Sequence, residues 1–439
     1  MSTWLESLRV YRQKRLLVVL FMGFASGLPF PLTFATLSLW LAEQGVSRTS
    51  IGLFVLVGFS YNWKFLWSPA IDRLPLPWLT ATLGRRRGWL VLVQTLLVLA
   101  ILALGQTSPA ENLALTAFLC VIVAFLSASQ DIVVDAYRIE ILAPDEQGAG
   151  AAATQWGYRF GLLAAGAGAL YAADFGGWRF AYDLMAALML VGLATVLIAR
   201  EPAASTHALD PLPGQTPAAR VRAWVDAAVI APFGDFLQRP GWLAVLVFIV
   251  LYKLGDSLAG VMANPFYVDM GFSKIEIANI SKLFGFFATL AGVAAGGLVT
   301  QRLGFYRSLF VCGVLQLLSN FMYAIQAVVG HDTLMLALTI GAENFTGGMG
   351  SAAFVAYLSG LTNVAFTATQ YALLSSLAAV PAKVLASPSG WLASQLDWVA
   401  YFIFTAGAAL PGLLMIAFLM RRFPLAPETS LRPALAVDD

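Results

Sequence analysis

Between Ser127 and Arg138 the chain reads SASQDIVVDAYR, directly after the apolar run LALTAFLCVIVAFL. At helical spacing Ser127, Gln130, Asp131, Asp135 and Arg138 fall on one face. Carboxylates and a guanidinium aligned in this way can take up and release protons, or hold a polar solute through charge-assisted hydrogen bonds. A charge at the centre of a hydrocarbon layer costs roughly 2.5 kcal/mol or more, so such a face must meet a water-filled cavity or a partner. The stripe predicts a polar path through a membrane.

Other apolar stretches carry similar stripes. Lys253, Asp256, Ser257, Gly260 and Asn264 share one face, as do Gln316, Ser319, Asn320 and Tyr323. Gln155, Tyr158 and Arg159 form a third stripe, Thr367, Gln370 and Tyr371 a fourth, and Glu343 and Asn344 stand together in a fifth. The structural alternative is hydrogen bonding between helices for the uncharged members and permanent ion pairing for the charged ones. His207 and His331 both fall outside the apolar stretches, so an embedded proton carrier must be a carboxylate: Asp131, Asp256 or Glu343. Glu343 has no basic residue in its own stretch and is expected to be protonated at rest. Counting the helical rise, Lys253 lies roughly 16 Å and Asp131 roughly 11 Å from the same membrane face. Those levels permit a salt bridge between them if their helices face each other. Asp135 and Arg138 lie nearer the mouth and are expected to pair locally and to act as a gate.

These stripes need long apolar helices to carry them. The chain is 59% hydrophobic and 11% charged, against about 25% charged in soluble domains. Windows long enough to cross a bilayer predict twelve spans, near 16–42, 51–72, 88–106, 113–138, 149–173, 179–199, 242–265, 275–299, 306–328, 333–358, 365–387 and 398–420. The first lacks a small-residue cleavage site and is expected to be a retained helix rather than a signal peptide. Basic residues crowd the N-terminus, the loop around Arg73, Arg85, Arg86 and Arg87, the central segment and the C-terminus. The opposite loops hold only Arg48, Arg179, Lys274 and Lys383. The positive-inside rule then puts both termini in the cytoplasm.

The small net charge of +2 gives no reason to expect nucleic acid as a partner. Cys120 and Cys312 lie within apolar stretches and suggest no disulfide framework. Phosphate-loop, HExxH, GxSxG and CxxC signatures are missing, which argues against an enzyme, a metal or a cofactor and leaves an ion gradient as the source of energy.

The two halves of the chain repeat. LWLAEQGVSRTSIG (39–52) aligns with PFYVDMGFSKIEIA (265–278), pairing Trp40 with Phe266, Glu43 with Asp269, Gly45 with Gly271, Ser47 with Ser273, Arg48 with Lys274 and Ile51 with Ile277. The expected architecture is an all-α polytopic membrane protein with a major facilitator fold, its site lying between two six-helix bundles. The expected divisions are 1–200 for the first bundle, 201–241 for a linker with an interfacial amphipathic helix, 242–421 for the second bundle and 422–439 for a tail.

Long strings carry a more specific likeness: GFASGLPFPLT, KFLWSPAIDR, GRRRGW, SASQDIVVDAYR, DEQGAGAA and GYRFG in the first half, then YKLGDSLA, ENFTGGMGSAAFVAYL and FTATQYALLSSL in the second. In these the chain resembles the AmpG-type anhydromuropeptide permeases of the major facilitator superfamily. The resemblance implies import of N-acetylglucosaminyl-1,6-anhydro-N-acetylmuramyl peptides across the inner membrane of a Gram-negative bacterium, driven by protons, for peptidoglycan recycling, with a link to β-lactamase induction. Gln147 departs from the family, which has Arg in that loop, and this weakens any anionic latch there.

For a sugar-peptide cargo, Gln130, Gln155, Asn320, Asn344 and Gln370 are candidate hydrogen-bond partners. Tyr158, Tyr252 and Tyr323 are candidates for stacking on pyranose faces, and Lys253 and Arg159 for holding carboxylates. Asp72, Arg73, Arg85, Asp135 and Arg138 are the candidate cytoplasmic gate. The partners expected are the cargo, protons and lipid, with the chain acting as a monomer. A different bulky polar substrate (an acyl-coenzyme A, a siderophore or a drug) is the alternative within transporters; a signalling or scaffold protein without flux is the alternative outside them.

Overall fold

The computed structural model describes residues 13–203, 222 and 225–423. Arg9, Arg12, most of the linker, including His207, Arg220, Val221 and Trp224, and the tail from residue 424 lie outside the described residues. Everything regular among the described residues is helical. The helices that matter below are α1 (Lys14–Gly27), α2 (Ala35–Glu43), α3 (Ser68–Arg73), α4 (Arg85–Gly105), α5 (Leu113–Ile141), α6 (Gln147–Leu163) and α7 (Ala169–Ile198) in the first half. After the linker come α8 (Ala231–Leu237), α9 (Trp242–Tyr252), α10 (Leu254–Asp269), α11 (Gly285–Leu303), α12 (Phe305–Val329), α13 (Thr333–Gly360), α14 (Thr367–Ala386) and α15 (Trp398–Arg422).

Among the described residues, 9 helical runs are long and apolar enough to cross a membrane. They differ from the twelve expected spans at three places. The run Pro144–Ile198 covers two expected spans; its backbone leaves the helix at Gly177, where φ is 81° and ψ is 170°. The expected span 51–72 is a chain of short segments, Arg48–Leu53, Phe54–Gly58, Phe59–Asn62, Lys64–Leu66 and α3, so no single helix in it is long enough. The third place is α13, long enough at 28 residues but carrying Glu343, Asn344, three Thr and five Gly, which lower its hydropathy. The first is the turn between two spans, the second a broken span and the third a polar one.

The repeat read from the sequence reappears as matched contacts. The Trp178 indole donates to Glu43 at 2.7 Å, and the Trp398 indole donates to Asp269, the partner of Glu43 in the repeat, at 3.2 Å. Trp40 packs on Trp178 as Phe266 packs on Trp398. The Tyr182 hydroxyl donates to the Leu32 carbonyl at 3.0 Å, and the Tyr401 hydroxyl to the Leu258 carbonyl at 2.7 Å. Ser47 Oγ accepts from the Ser50 N–H at 3.2 Å, and Ser273 Oγ from the Glu276 N–H at 3.2 Å. Gly45 and Gly271 both turn the chain at positive φ, 73° and 83°, a region open to glycine without a side-chain penalty. These contacts staple the first span to the sixth and the seventh to the twelfth at the end opposite the arginines.

The matched tyrosines give a stability test. Tyr182→Phe and Tyr401→Phe should each lower stability by about 1 kcal/mol, the net worth of one hydrogen bond. Unfolding of each variant in detergent measures it; a loss from one variant alone would break the equivalence.

Candidate functional site

The arginine-rich end is closed by a buried charge network. Arg86, at the start of α4, is 1% exposed. Its Nη2 donates to Asp72 at 2.7 Å and to Glu140 at 2.5 Å, and its Nε donates to both Glu140 oxygens. The other Asp72 oxygen accepts the backbone N–H of Thr369 at 3.3 Å and its hydroxyl at 3.1 Å. Thr369 lies in the first turn of α14, so Asp72 caps a helix of the opposite half, where the helix dipole favours an anion. Arg85 donates to the Asp72 carbonyl at 2.9 Å. Arg73 places its guanidinium 5.1 Å from the ring of Phe366 across the seam. Arg138 is fully buried; it donates to Ser359 of α13 at 2.9 Å and lies 5.4 Å from the Tyr371 ring. Four of the five candidate gate residues, Asp72, Arg73, Arg85 and Arg138, therefore meet at one end; Asp135 reaches it only through Arg138, 3.5 Å away. Their hub, Arg86 with Glu140, was missed because three consecutive arginines do not say which one turns inward.

The linker joins this closure. Asp235 of α8 accepts from Gln370 at 2.8 Å, from Asn363 at 3.0 Å and from Arg239 at 2.5 Å. Gln370 also donates to the Pro232 carbonyl at 2.9 Å, and Arg239 donates to the Leu361 carbonyl. Gln370, a substrate candidate by its stripe, is thus placed in a clasp holding the linker helix. Burial alone would raise the Asp235 carboxyl; the hydrogen bonds from Gln370, Asn363 and Arg239, with the Arg239 charge, hold it below the usual carboxylate range.

Two further lysine–carboxylate clusters stand one in each half. In the first, Lys64 lies 3.8 Å from Asp135, Asp135 lies 3.5 Å from Arg138, and Asp131 accepts the Ser26 hydroxyl of α1. In the second, Lys253 lies 3.2 Å from Asp256 and 3.5 Å from Gln316 Oε1, while Gln316 donates to Asp256. Both lysines stand where a helix is broken. Lys64 opens a 3₁₀ turn between two short helices, and Lys253 (φ −99°, ψ 5°) separates α9 from α10. Asp256 then falls in the first turn of α10, where the helix dipole favours its negative charge.

The Lys253–Asp131 bridge that their levels permit does not form. A carboxylate three residues along on its own segment reaches Lys253 without bringing two helices together, and Lys64 is the cation beside Asp131. Lys64 was overlooked because no stripe in its broken span marked it.

The remaining candidates divide. Glu343 makes no side-chain hydrogen bond or ion pair among the described residues. Asn344 accepts from Thr289 at 2.9 Å. Gln155 accepts from Ser351 of the other half at 2.9 Å; its Nε2, both amide atoms of Gln130 and the Nδ2 of Asn320 are buried with no partner among the described residues. Tyr158 and Arg159 are half-buried on α6. Tyr252 instead donates to the Leu309 carbonyl and stacks on Phe354. Tyr323 bonds Tyr267 and stacks on Phe402. Both rings belong to hydrophobic clusters, which leaves no face open for a sugar in this conformation.

The two-half helical arrangement has known counterparts. Residues 19–380 match the profile of the Major Facilitator Superfamily. The chain belongs to that superfamily. Within it, the chain is 41% identical over 413 residues to the anhydromuropeptide permease of Escherichia coli (strain K12), spanning 94% of this chain and 81% of the relative. It is 34% identical over 418 residues to putative transporter AmpG 4 of Rickettsia felis, spanning 94% and 98%. Among solved structures, the proton:xylose symporter XylE bound to 6-bromo-6-deoxy-D-glucose matches with a TM-score of 0.66 at 13% identity, over 94% of this chain and 95% of that one. At that identity the likeness is one of fold. Major facilitators span the membrane several times, and the apolar runs described above make this chain a multi-pass membrane protein.

Two outcomes test the closure. Removing one partner from a buried ion pair costs about 3–5 kcal/mol, so Asp72→Asn should open the arginine-rich end. A cysteine at Val355, one turn below Ser359, should then react at least ten times faster with a membrane-impermeant thiol reagent added from that side; an unchanged rate would mean the latch lies elsewhere. The linker clasp follows pH with a defined sign. With its carboxyl held low, Asp235 stabilises the clasp throughout neutral pH and releases it only as pH falls below the ordinary carboxylate range. Proteolysis of the linker should accelerate there in the wild type and already be fast at pH 7 in Asp235→Asn.

Proposed function

We propose that this protein imports N-acetylglucosaminyl-1,6-anhydro-N-acetylmuramyl peptides from periplasm to cytoplasm, driven by protons, by alternating access. The observation that carries this reading is the 41% identity to the Escherichia coli anhydromuropeptide permease along 94% of the chain. In this reading twelve spans cross the inner membrane of a Gram-negative bacterium, both termini and the arginine-rich end are cytoplasmic, and the protein is a monomeric transporter rather than an enzyme. The divisions at 1–200, 201–241, 242–421 and 422–439 are its two bundles, linker and tail.

The geometry supports a division of labour. The latch around Arg86 closes the cytoplasmic side while cargo enters from the periplasm. The lysine–carboxylate clusters, one in each half, offer cations to the carboxylates of the peptide stem. The unpaired amides of Gln130, Gln155 and Asn320 have hydrogen-bonding capacity to spare, which a polar cargo fills. Asn344, Tyr158 and Arg159 complete the lining. Asp131, Asp256 and Glu343 are the proton carriers in this reading: Asp131 and Asp256 each have a lysine beside them, and Glu343 takes no ion pair among the described residues.

Uptake of labelled anhydromuropeptide into proteoliposomes tests this reading. Accumulation should require an inward proton gradient. Asp131→Asn or Glu343→Gln should abolish gradient-driven accumulation while leaving exchange of cargo measurable. Accumulation at the wild-type level in both variants would remove these two carboxylates from the coupling step, and uptake indifferent to the gradient would overturn proton coupling itself.

A further inference from the structure

Glu201, at the start of the linker, makes contacts that neither the latch nor the clasp accounts for. Its two carboxylate oxygens accept the backbone N–H groups of Arg86 at 2.8 Å and of Arg87 at 3.0 Å. These are the second and third residues of α4. A helix leaves such N–H groups unpaired, and an N-cap side chain ordinarily takes them. Here the N-cap is Gly84, at φ 89°, a conformation open to glycine, which has no side chain to offer. Any side chain at that position would collide with the Glu201 carboxyl. The cap of α4 is therefore delivered from 115 positions along the chain, and the helix dipole favours its negative charge.

The exchange is reciprocal. Arg87 donates from Nε to the Val196 carbonyl at 3.0 Å and from Nη2 to the Leu197 carbonyl at 2.9 Å. These carbonyls belong to the last turn of α7, which has no partners of its own. The Tyr137 hydroxyl of α5 donates to the Arg200 carbonyl at 2.7 Å and fixes the residue beside Glu201. Arg86 sits inside this joint: Glu201 holds its N–H while its guanidinium reaches Asp72 and Glu140. The second half starts the matching helix differently. There α12 follows Gly304, at φ 73°, and among the described residues nothing lies within 4 Å of the place a side chain would take. A helix that follows such a glycine thus forms without a carboxylate beside it. The added cap stands only in the half that carries the latch arginines.

We propose that Glu201 is a positioning residue of the gate. It fixes the first turn of α4 against the end of the sixth span and so aims the Arg86 guanidinium at Asp72 and Glu140. The first residue of the linker then sets how firmly the arginine-rich end closes. The assignment rests on the reading of that end as a gate, and not on the identity of the cargo or of the coupling ion.

Thiol labelling of the full chain carrying Val355→Cys, with a membrane-impermeant reagent added from the arginine-rich side, tests it. An N-cap side chain is worth about 1 kcal/mol, or roughly fivefold in an equilibrium. Glu201→Ala should raise the labelling rate at least threefold. In the Asp72→Asn background it should raise the rate less than twofold, because residues acting through one network are not additive. A part in stability alone would give the same factor in both backgrounds. Glu201→Gln keeps the side-chain length and one acceptor oxygen; it should raise the rate at least twofold, and it carries the test if Glu201→Ala does not fold. A rate unmoved by either substitution while Asp72→Asn raises it, or an undiminished effect in the Asp72→Asn background, would overturn the role of Glu201. A rate unmoved in every variant, Asp72→Asn included, would overturn the gate itself and the role with it.

Discussion

A guanidinium that is 1% exposed must be neutralised where it stands, and the arrangement of the arginine-rich end follows from that need. Arg86 takes Asp72 and Glu140 together, which draws the end of the second span and the end of the fourth against the start of the third. Asp72 then has one oxygen left, and it faces the uncapped N–H groups of α14 in the other half. Neutralising a charge within one bundle thereby creates an anionic cap for a helix of its partner. Every charge in that part of the latch belongs to the first half; the second contributes a helix terminus and hydroxyls. Such a contact is strong when closed, yet it separates without stranding an unpaired charge in the second half.

The repeat explains why closure and cargo chemistry can coexist in one chain. The tryptophan–acid and tyrosine–carbonyl contacts recur in both halves and build a similar scaffold twice. The charged clusters do not follow the repeat. The first half places its acids on α5, while the second uses the broken seventh span and Glu343, which takes no ion pair among the described residues. A duplicated scaffold thus carries two different sets of charged residues. The breaks at Lys64 and Lys253 leave helix termini beside these charged clusters.

Much of the site was legible in the sequence. An ionisable residue in an apolar helix is conspicuous whatever surrounds it, which is how Asp131, Asp135, Arg138, Lys253 and Asp256 were found. Depth counted along a helix was less informative. It put Lys253 and Asp131 at similar levels but could not show that each had a nearer partner. Lys64 went unnoticed because its span is broken into short turns, and a periodic search needs an unbroken helix. Tyr252, Tyr323 and Gln370 occupy stripe positions like the others, but tyrosine and glutamine serve equally well in packing and in recognition.

By itself the sequence determined the class, the apolar runs, the internal duplication and the residues capable of carrying charge, because hydropathy and helical period are local properties of a chain. The strings around Gly23–Thr33, Lys64–Arg73 and Ser127–Arg138 also determined the family. The tertiary structure alone decided which of Arg85, Arg86 and Arg87 turns inward, which carboxylate each lysine meets and which stripe residues pack into a core. Those outcomes depend on helix rotation and on approach between the two halves. They are set by the packing of residues more than a hundred positions apart, which no single stretch of sequence records.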